Sequence, residues 1–280
     1  MRLIVGFWLF GVLGALGLGV SPAEAQYGRT PDSEFDPTIL SIEDRDYLGV
    51  KIDHSYRLVD HEGKVFSLSD MLGKPMILVL SYYQCDGTCS VINQDLKSLL
   101  ENTHLSQIGR DYRVLTLTFN KNDTLQHLQE FRQKMDLPED MAKGWTFAML
   151  ENPEDIAPFT SALGFRFFWS PRDRTFFHPG VFIVTSPAGR VTRYLYALSN
   201  EAKDVDLAVT EARSEQMRAT PKELLNLAVS LCYSYNFHEG RYTINYPLFI
   251  AAGSLFSGVA MLAVAMVVYH RRRRAREACQ

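Results

Sequence analysis

The sequence predicts an α/β domain, a mixed sheet flanked by helices, followed by one transmembrane helix near the C-terminus. Short apolar runs of strand length alternate with segments whose apolar residues recur at helical spacing. Turn-forming clusters separate them. Residues 247–269 contain no charge, and Arg271, Arg272, Arg273, Arg274 and Arg276 follow at once. An uncharged run of that length crosses a hydrocarbon core of ~30 Å.

The elements follow in order. Residues 26–46 are polar, with Pro31, Pro37 and six acids, and read as an extended lead-in. Residues 52–59 and 65–68 flank the turn His61-Glu62-Gly63-Lys64 as a hairpin. Residues 69–74 make a short turn of helix before the apolar run 75–83, a buried strand. Helix 89–102 carries Ile92, Leu96, Leu99 and Leu100 at helical spacing, and strand 112–119 follows. Helix 123–135 gathers Leu125, Leu128, Phe131 and Met135 on one side, with Asp123 as its N-cap. Residues 145–150 are a strand. Asn152 then caps a helix with Pro153 at its first position, disturbed by Pro158 and closing at Gly164. Strands 181–185 and 191–196 join through Ser186-Pro187-Ala188-Gly189, a hairpin. Residues 220–233 add one or two helices beside the core or leading down to the membrane.

The chain's ends assign a compartment. Met1-Arg2 precedes an apolar run to Val20, and Ala23-Glu24-Ala25 has the small-x-small form of a signal-peptidase site, so residues 1–25 read as a signal peptide. The arginines behind the span mark its cytoplasmic side. The expected placement is a bacterial inner membrane, single-pass, with the globular domain in the periplasm. The division is then lead-in 26–46, globular domain 47–200, helical extension 201–245, span 246–270 and basic tail 271–280. Residues 26–245 hold 23 basic and 30 acidic side chains, net −7, against −3 for the whole chain. That balance disfavours nucleic acid, which needs a basic footprint.

Four cysteines in 280 residues are too few for a disulfide scaffold. Cys279 lies in the tail, and Cys232 ends an apolar helical stretch where a packing role is the default. Cys85 and Cys89 are different. In Cys85-Asp86-Gly87-Thr88-Cys89 two thiols flank the point where a buried strand turns into a helix. Positions i and i+4 of a helix share a face. Free amide groups and the helix dipole lower a thiol's pKa there. Such a pair suits reversible disulfide formation or the binding of a soft metal ion. A dithiol after the first long strand of a βαβ unit is the thioredoxin arrangement, so the mixed sheet is expected to be thioredoxin-like.

Several motifs together resemble the SCO/SenC proteins: Asp53-His54-Ser55, Gly63-Lys64, Tyr82-Tyr83-Gln84-Cys85-x-x-x-Cys89, Thr118-Phe119-Asn120, Gly144-Trp145, Gly164-Phe165-Arg166-Phe167, His178, and Pro187-x-Gly189-Arg190-Val191-x-Arg193-Tyr194. The likeness spans roughly residues 47–200, in a branch with a C-terminal anchor. The resemblance implies a thioredoxin-fold, membrane-anchored copper protein of cytochrome c oxidase assembly. It implies a metal site of Cys85, Cys89 and His178 holding Cu(I) or Cu(II), with Cys85 and Cys89 also a redox-active pair. The implied partners are the apo copper-bearing subunit of the oxidase and other periplasmic copper chaperones. Soft thiolates select Cu(I), and an imidazole lets the same site accommodate Cu(II). The chain departs from the family at Ser90, at Asn120-Lys121, which leaves Asp123 as the nearest acid, and at Phe177.

Two alternatives stand beside that reading. A Cys₂His set with an open position also suits zinc. An envelope thiol-disulfide oxidoreductase or thiol peroxidase would use Cys85 as nucleophile and Cys89 to resolve, although the usual redox spacing is C-x-x-C. His54 reads as packed or at the surface. Tyr82, Tyr83, Phe176 and Phe177 are expected to pack around the site.

Overall fold

The computed structural model describes residues 36–84, 88–213, 221–237 and 239–277. Proposed signal residues 1–25, Cys85 and Cys279 lie outside them. In chain order the elements are α1 (Asp44–Tyr47), β1 (Arg57–Asp60), β2 (Val65–Ser67), β3 (Met76–Ser81), α2 (Thr88–Glu101), β4 (Arg113–Thr118), α3 (Leu125–Met135), α4 (Glu139–Ala142) and β5 (Trp145–Leu150). They continue with α5 (Ile156–Ala162), β6 (Phe168–Ser170), β7 (Thr175–Phe177), β8 (Val181–Thr185), β9 (Val191–Tyr196), α6 (Ala202–Arg213), α7 (Pro221–Leu231), β10 (Tyr233–Asn236), β11 (Arg241–Ile244) and α8 (Tyr246–Glu277).

Seven strands form one sheet in the order β2-β1-β5-β4-β3-β8-β9. Strands β3, β4 and β5 run parallel, while β1 and β8 join antiparallel on either side. Side chains of a strand alternate between faces, and here both faces are covered. Ile77 and Val79 of β3 enter one cluster with Ile92 and Leu96 of α2 and Leu128 and Phe131 of α3. Leu78 and Leu80 enter the other with Ile156 and Phe159 of α5. This explains why β3 reads as an unbroken apolar run rather than an alternating one. The architecture is thioredoxin-like.

The sequence expectations differ from the structure in four places. The described part of the lead-in is not extended: residues 37–40 make a 3-10 turn and α1 follows, burying Ile42 and Asp44. The cap of α3 is Thr124, whose hydroxyl accepts from His127 N, and Asp123 is drawn elsewhere. The small hairpin β6–β7 and the single turn α4 had no clear periodic signal. The largest difference falls on residues 201–245: α7 lies where a helix is expected, but α6 and the β10–β11 hairpin are packed into the domain. Helix α6 places Val205, Leu207, Ala208, Val209 and Ala212 in the same cluster as α2, and the β10–β11 hairpin adds Tyr235 and Tyr242. Strands of four residues beside an apolar helix leave too short an alternation to distinguish.

Helix α6 is also held by charge. Asp206 is buried and accepts from the backbone N–H groups of His104, Leu105 and Ser106 and from the Ser106 hydroxyl, at 2.6–3.1 Å. One carboxylate thus satisfies the turn that follows α2. At the β9 edge, Asp44 Oδ1 accepts from the Tyr196 hydroxyl at 3.0 Å, while its Oδ2 is buried without a donor among the described residues. Burial pushes the Asp44 carboxyl up to about 6, against the Tyr196 and Tyr235 hydroxyls and Arg193, which favour the charged form.

Beyond the domain, α8 contains a 26-residue stretch, Tyr246–Arg271, within which an 18-residue window reaches a mean hydropathy of 2.1 and is not buried by any described residue. At 1.5 Å per residue it is about 39 Å long, enough to cross a bilayer with some tilt. A single apolar helix of this kind is consistent with a membrane anchor.

Two predictions follow from this packing. Asp206→Ala strands several donors at once and should lower unfolding free energy by about 3 kcal/mol in a urea titration of the solubilised chain. For Asp44, the folded carboxyl holds its proton to higher pH than the unfolded one, so its contribution to stability is full below the ordinary value near 3.8 and is lost as pH rises through about 6. Melting temperatures of Asp44→Asn and the parent, compared between pH 4 and pH 7, should show the variant gaining relative stability toward pH 7.

Candidate metal centre

Strand β3 ends at Ser81 and delivers Tyr82, Tyr83 and Gln84 toward α2, which starts at Thr88. A buried polar chain underlies this crossing. Asn93 Nδ2 donates to Ser81 Oγ, and Thr116 Oγ1 donates to Asn93 Oδ1 and accepts from Trp145 Nε1, at 2.8–2.9 Å. Tyr83 is locked below it, its hydroxyl lying 2.9 Å from Thr116 O and 2.6 Å from Ala148 O. Burial pushes that phenol well above its usual range, so it stays a neutral donor.

Asp123 fixes the same turn from the side. Its buried carboxylate accepts from Tyr83 N at 2.7 Å, from Thr118 Oγ1 at 2.5 Å and from Asn120 Nδ2 at 3.1 Å. Next to it, His127 stands 3.9 Å from Asp123 Oδ1 and 2.9 Å from the Gln84 side-chain amide. The residue read from sequence as a helix cap is therefore the clamp on the backbone two residues before Cys85. A signal existed: Thr124 directly after Asp123 is an equally good cap, which frees the acid for another task.

His178 arrives from the other side of β3. Strand β8 pairs with β3 in antiparallel register, Val79 opposite Phe182, so the residues before β8 run alongside the end of β3. Gly180 lets them approach α2: a Cβ there would stand 3.3 Å from Ile92 Cδ1. The His178 ring is buried, with ring centroids 5.0 Å from Phe119, 5.7 Å from Phe165 and 6.5 Å from Tyr82. Its Nδ1 lies 2.9 Å from Pro179 O. A carbonyl can only accept, so Nδ1 carries the proton and Nε2 the lone pair. Burial holds the imidazole below its ordinary pKa, outweighing that hydrogen bond, and keeps it neutral.

Of the three sequence-predicted ligands, His178 is thus fully described, Cys89 stands in the first turn of α2 without a described side chain, and Cys85 lies outside the described residues. Among the described residues, no group of three or more His, Cys, Asp or Glu is close enough to hold a metal ion. His54 packs over the Gly189 turn, beyond the far end of β8 from His178. Cys232 is free and half-buried, its Sγ 3.5 Å from Ala228 O.

Of the four aromatics expected around the site, Tyr82 stands beside His178 and Phe176 packs on Tyr82, while Tyr83 packs on Phe131 and Phe177 stacks on Phe168. Phe119 and Phe165, present in the family motifs but given no role there, flank the imidazole, and Phe167 packs on Phe119. A cleft of about 520 Å³ opens beside them, lined by Gln84, Phe119, Lys121, Phe167, Trp169 and Phe176 among others. Trp169 is 47% exposed.

A thioredoxin-like domain in which strand β8 brings a buried histidine to the end of strand β3 defines the broad class to which this chain belongs. Within it, this chain belongs to the SCO1/SenC family, whose sequence profile matches residues 45–210. Among solved structures, a protein of Aquifex aeolicus VF5 named for a conjectured electron-transfer role is 29% identical, with TM-score 0.55 over 62% of this chain and 99% of that one. A second Aquifex aeolicus VF5 protein, named for electron transport on the same footing, is 30% identical, with TM-score 0.51 over 59% and 98%. The copper-bound ScoI of Arabidopsis thaliana is a more distant likeness, 18% identical with TM-score 0.46 over 56% and 94%. No curated protein matches the chain. Family membership supports a general role in copper handling or thiol redox chemistry near cytochrome c oxidase assembly.

Removing the Asp123 clamp should loosen the turn without disturbing the sheet. Asp123→Ala is expected to cost about 2–3 kcal/mol in urea unfolding and to speed hydrogen exchange at the Tyr83 amide more than at the Val79 amide.

Proposed function

We propose that this protein is a membrane-anchored copper carrier in which Cys85, Cys89 and His178 hold one copper ion as cargo. The acceptor is the apo copper-bearing subunit of cytochrome c oxidase, to which the ion passes by ligand exchange. The same thiols, when free of metal, keep that subunit's cysteines reduced. The observation that carries the reading is the state of His178: a buried, neutral imidazole whose Nδ1 proton is committed to Pro179 O.

That state fits a metal ligand. A ligating imidazole must be unprotonated at the donor nitrogen. It is usually held in one tautomer by a hydrogen bond from its other nitrogen. The donor set of two thiolates and one imidazole suits Cu(I) and tolerates Cu(II). Copper would contribute its exchangeable thiolate bonds. The chain contributes a rigid histidine, a clamped turn before the first cysteine and an open cleft alongside, with room for a polypeptide loop of the acceptor.

A dithiol that is oxidised has no thiolates to offer, so the carrier and reductant tasks exclude one another at any moment. Anchoring confines both to the membrane where the acceptor sits, raising effective concentration without a large interface. The arginines after the span support a periplasmic domain and a cytoplasmic tail.

The test is a Cu(I) titration of the reduced, detergent-solubilised chain against a competing chelator. His178→Ala should weaken binding by about tenfold or more, and Cys85→Ser or Cys89→Ser by more still. Unchanged copper affinity in His178→Ala, with rapid turnover of a peroxide or model disulfide at unaltered rate, would favour an envelope thiol oxidoreductase.

A further inference from the structure

Helix α7 presents an apolar face that no described residue covers. Leu225 is 64% exposed and Leu231 58%, and Ala228 between them is exposed too. Steps of three residues advance about 300° around a helix, so the three side chains lie within one sector of about 120°. A helix of a water-soluble domain turns such a sector inward.

The far end of this helix is fastened to the start of the span. Asn245 N donates to Cys232 O at 2.9 Å, and Asn245 Nδ2 donates to Leu231 O at 3.5 Å. Asn245 immediately precedes α8. Ile244 and Tyr246, on either side of it, are also exposed, at 47% and 65%. The fastening is not a loose linker. Tyr242 N donates to Asp204 Oδ1 at 3.1 Å, and the Tyr242 hydroxyl donates to Glu211 Oε2 at 2.6 Å, tying the β10–β11 hairpin to α6.

We infer that α7 lies in the headgroup layer of the membrane, with Leu225, Ala228 and Leu231 against lipid, so that the domain rests on the bilayer surface. The inference depends on the reading of α8 as the anchor. A bilayer with a ~30 Å core measures ~40–45 Å across its headgroups, leaving a layer of several ångströms on each side. The span begins one residue after the contact with α7, so Leu231 is at that layer by attachment. Leu225 is about 9 Å further along the helix axis. Helices with one apolar sector lie in this layer with that sector sunk toward the acyl chains. Lipid is favoured over a second copy of the chain because Leu231, the last residue of the sector, is hydrogen-bonded to Asn245, the residue that leads directly into the span.

The experiment uses the full chain, one copy per phosphatidylcholine nanodisc, with acyl chains either plain or brominated. Leu225→Trp and Leu231→Trp are compared with the parent chain and with Leu248→Trp inside the span. Each replaced leucine is exposed, and two positions on α7 guard against a single perturbed variant. The expected result is loss of about half of the added tryptophan emission in brominated discs at both α7 positions, with stronger quenching at Leu248→Trp. Quenching at Leu248→Trp alone overturns the inference and leaves the anchor standing. No quenching at any of the three overturns both. Blue-shifted but unquenched emission at the α7 positions, seen only with two chains per disc, assigns the face to a second copy and overturns it as well.

Discussion

The antiparallel pairing of β8 with β3 is the constraint on which the rest depends. Strand β3 is buried on both faces and carries the turn into α2 at its end. Strand β8, entered from His178, is laid against it by the register Val79 opposite Phe182. Residues nearly a hundred positions apart in sequence are brought to one end of the sheet by this single pairing. A shift of one residue would turn Phe182 and Ile183 to the wrong faces, which the two apolar clusters forbid. The position of the histidine is therefore fixed by core packing and does not require a bound ion.

The polar interactions around that end divide the work. On one side, Asp123 holds the Tyr83 amide. On the other, phenylalanines surround the imidazole and exclude water from it. The effect is a histidine kept neutral by desolvation next to a backbone turn kept in place by a carboxylate.

Much of this was legible in the sequence. The long strands and helices of residues 50–200 follow from periodicity and turn residues, and the sheet class follows from the order in which they alternate. The dithiol and the uncharged run before the arginines stand out by residue type and spacing, whereas His178, which taken alone reads as a turn histidine, enters only beside the dithiol and through the family resemblance. What could not be read has physical causes. Asp123 is a good cap by type, and only the folded β3–β4 contact shows Tyr83 N within its reach. The β6–β7 hairpin, three residues a strand, is too short for alternation to register. Residues 201–245 read as an extension because their burial depends on the groove beside α2, which no local pattern encodes.

That last feature bears on how the chain is made. Tyr235 and Tyr242 complete the cluster that also contains α2 and β3, and the Tyr235 hydroxyl donates to Tyr194 O on the edge strand. Translation runs from the N-terminus, so these residues emerge only just ahead of the apolar segment beginning at Tyr246. The domain thus stays open along one side until its hydrophobic tail is itself leaving the ribosome. The residues that close the core and the apolar helix consistent with a membrane anchor leave the ribosome in immediate succession, separated by a handful of amino acids.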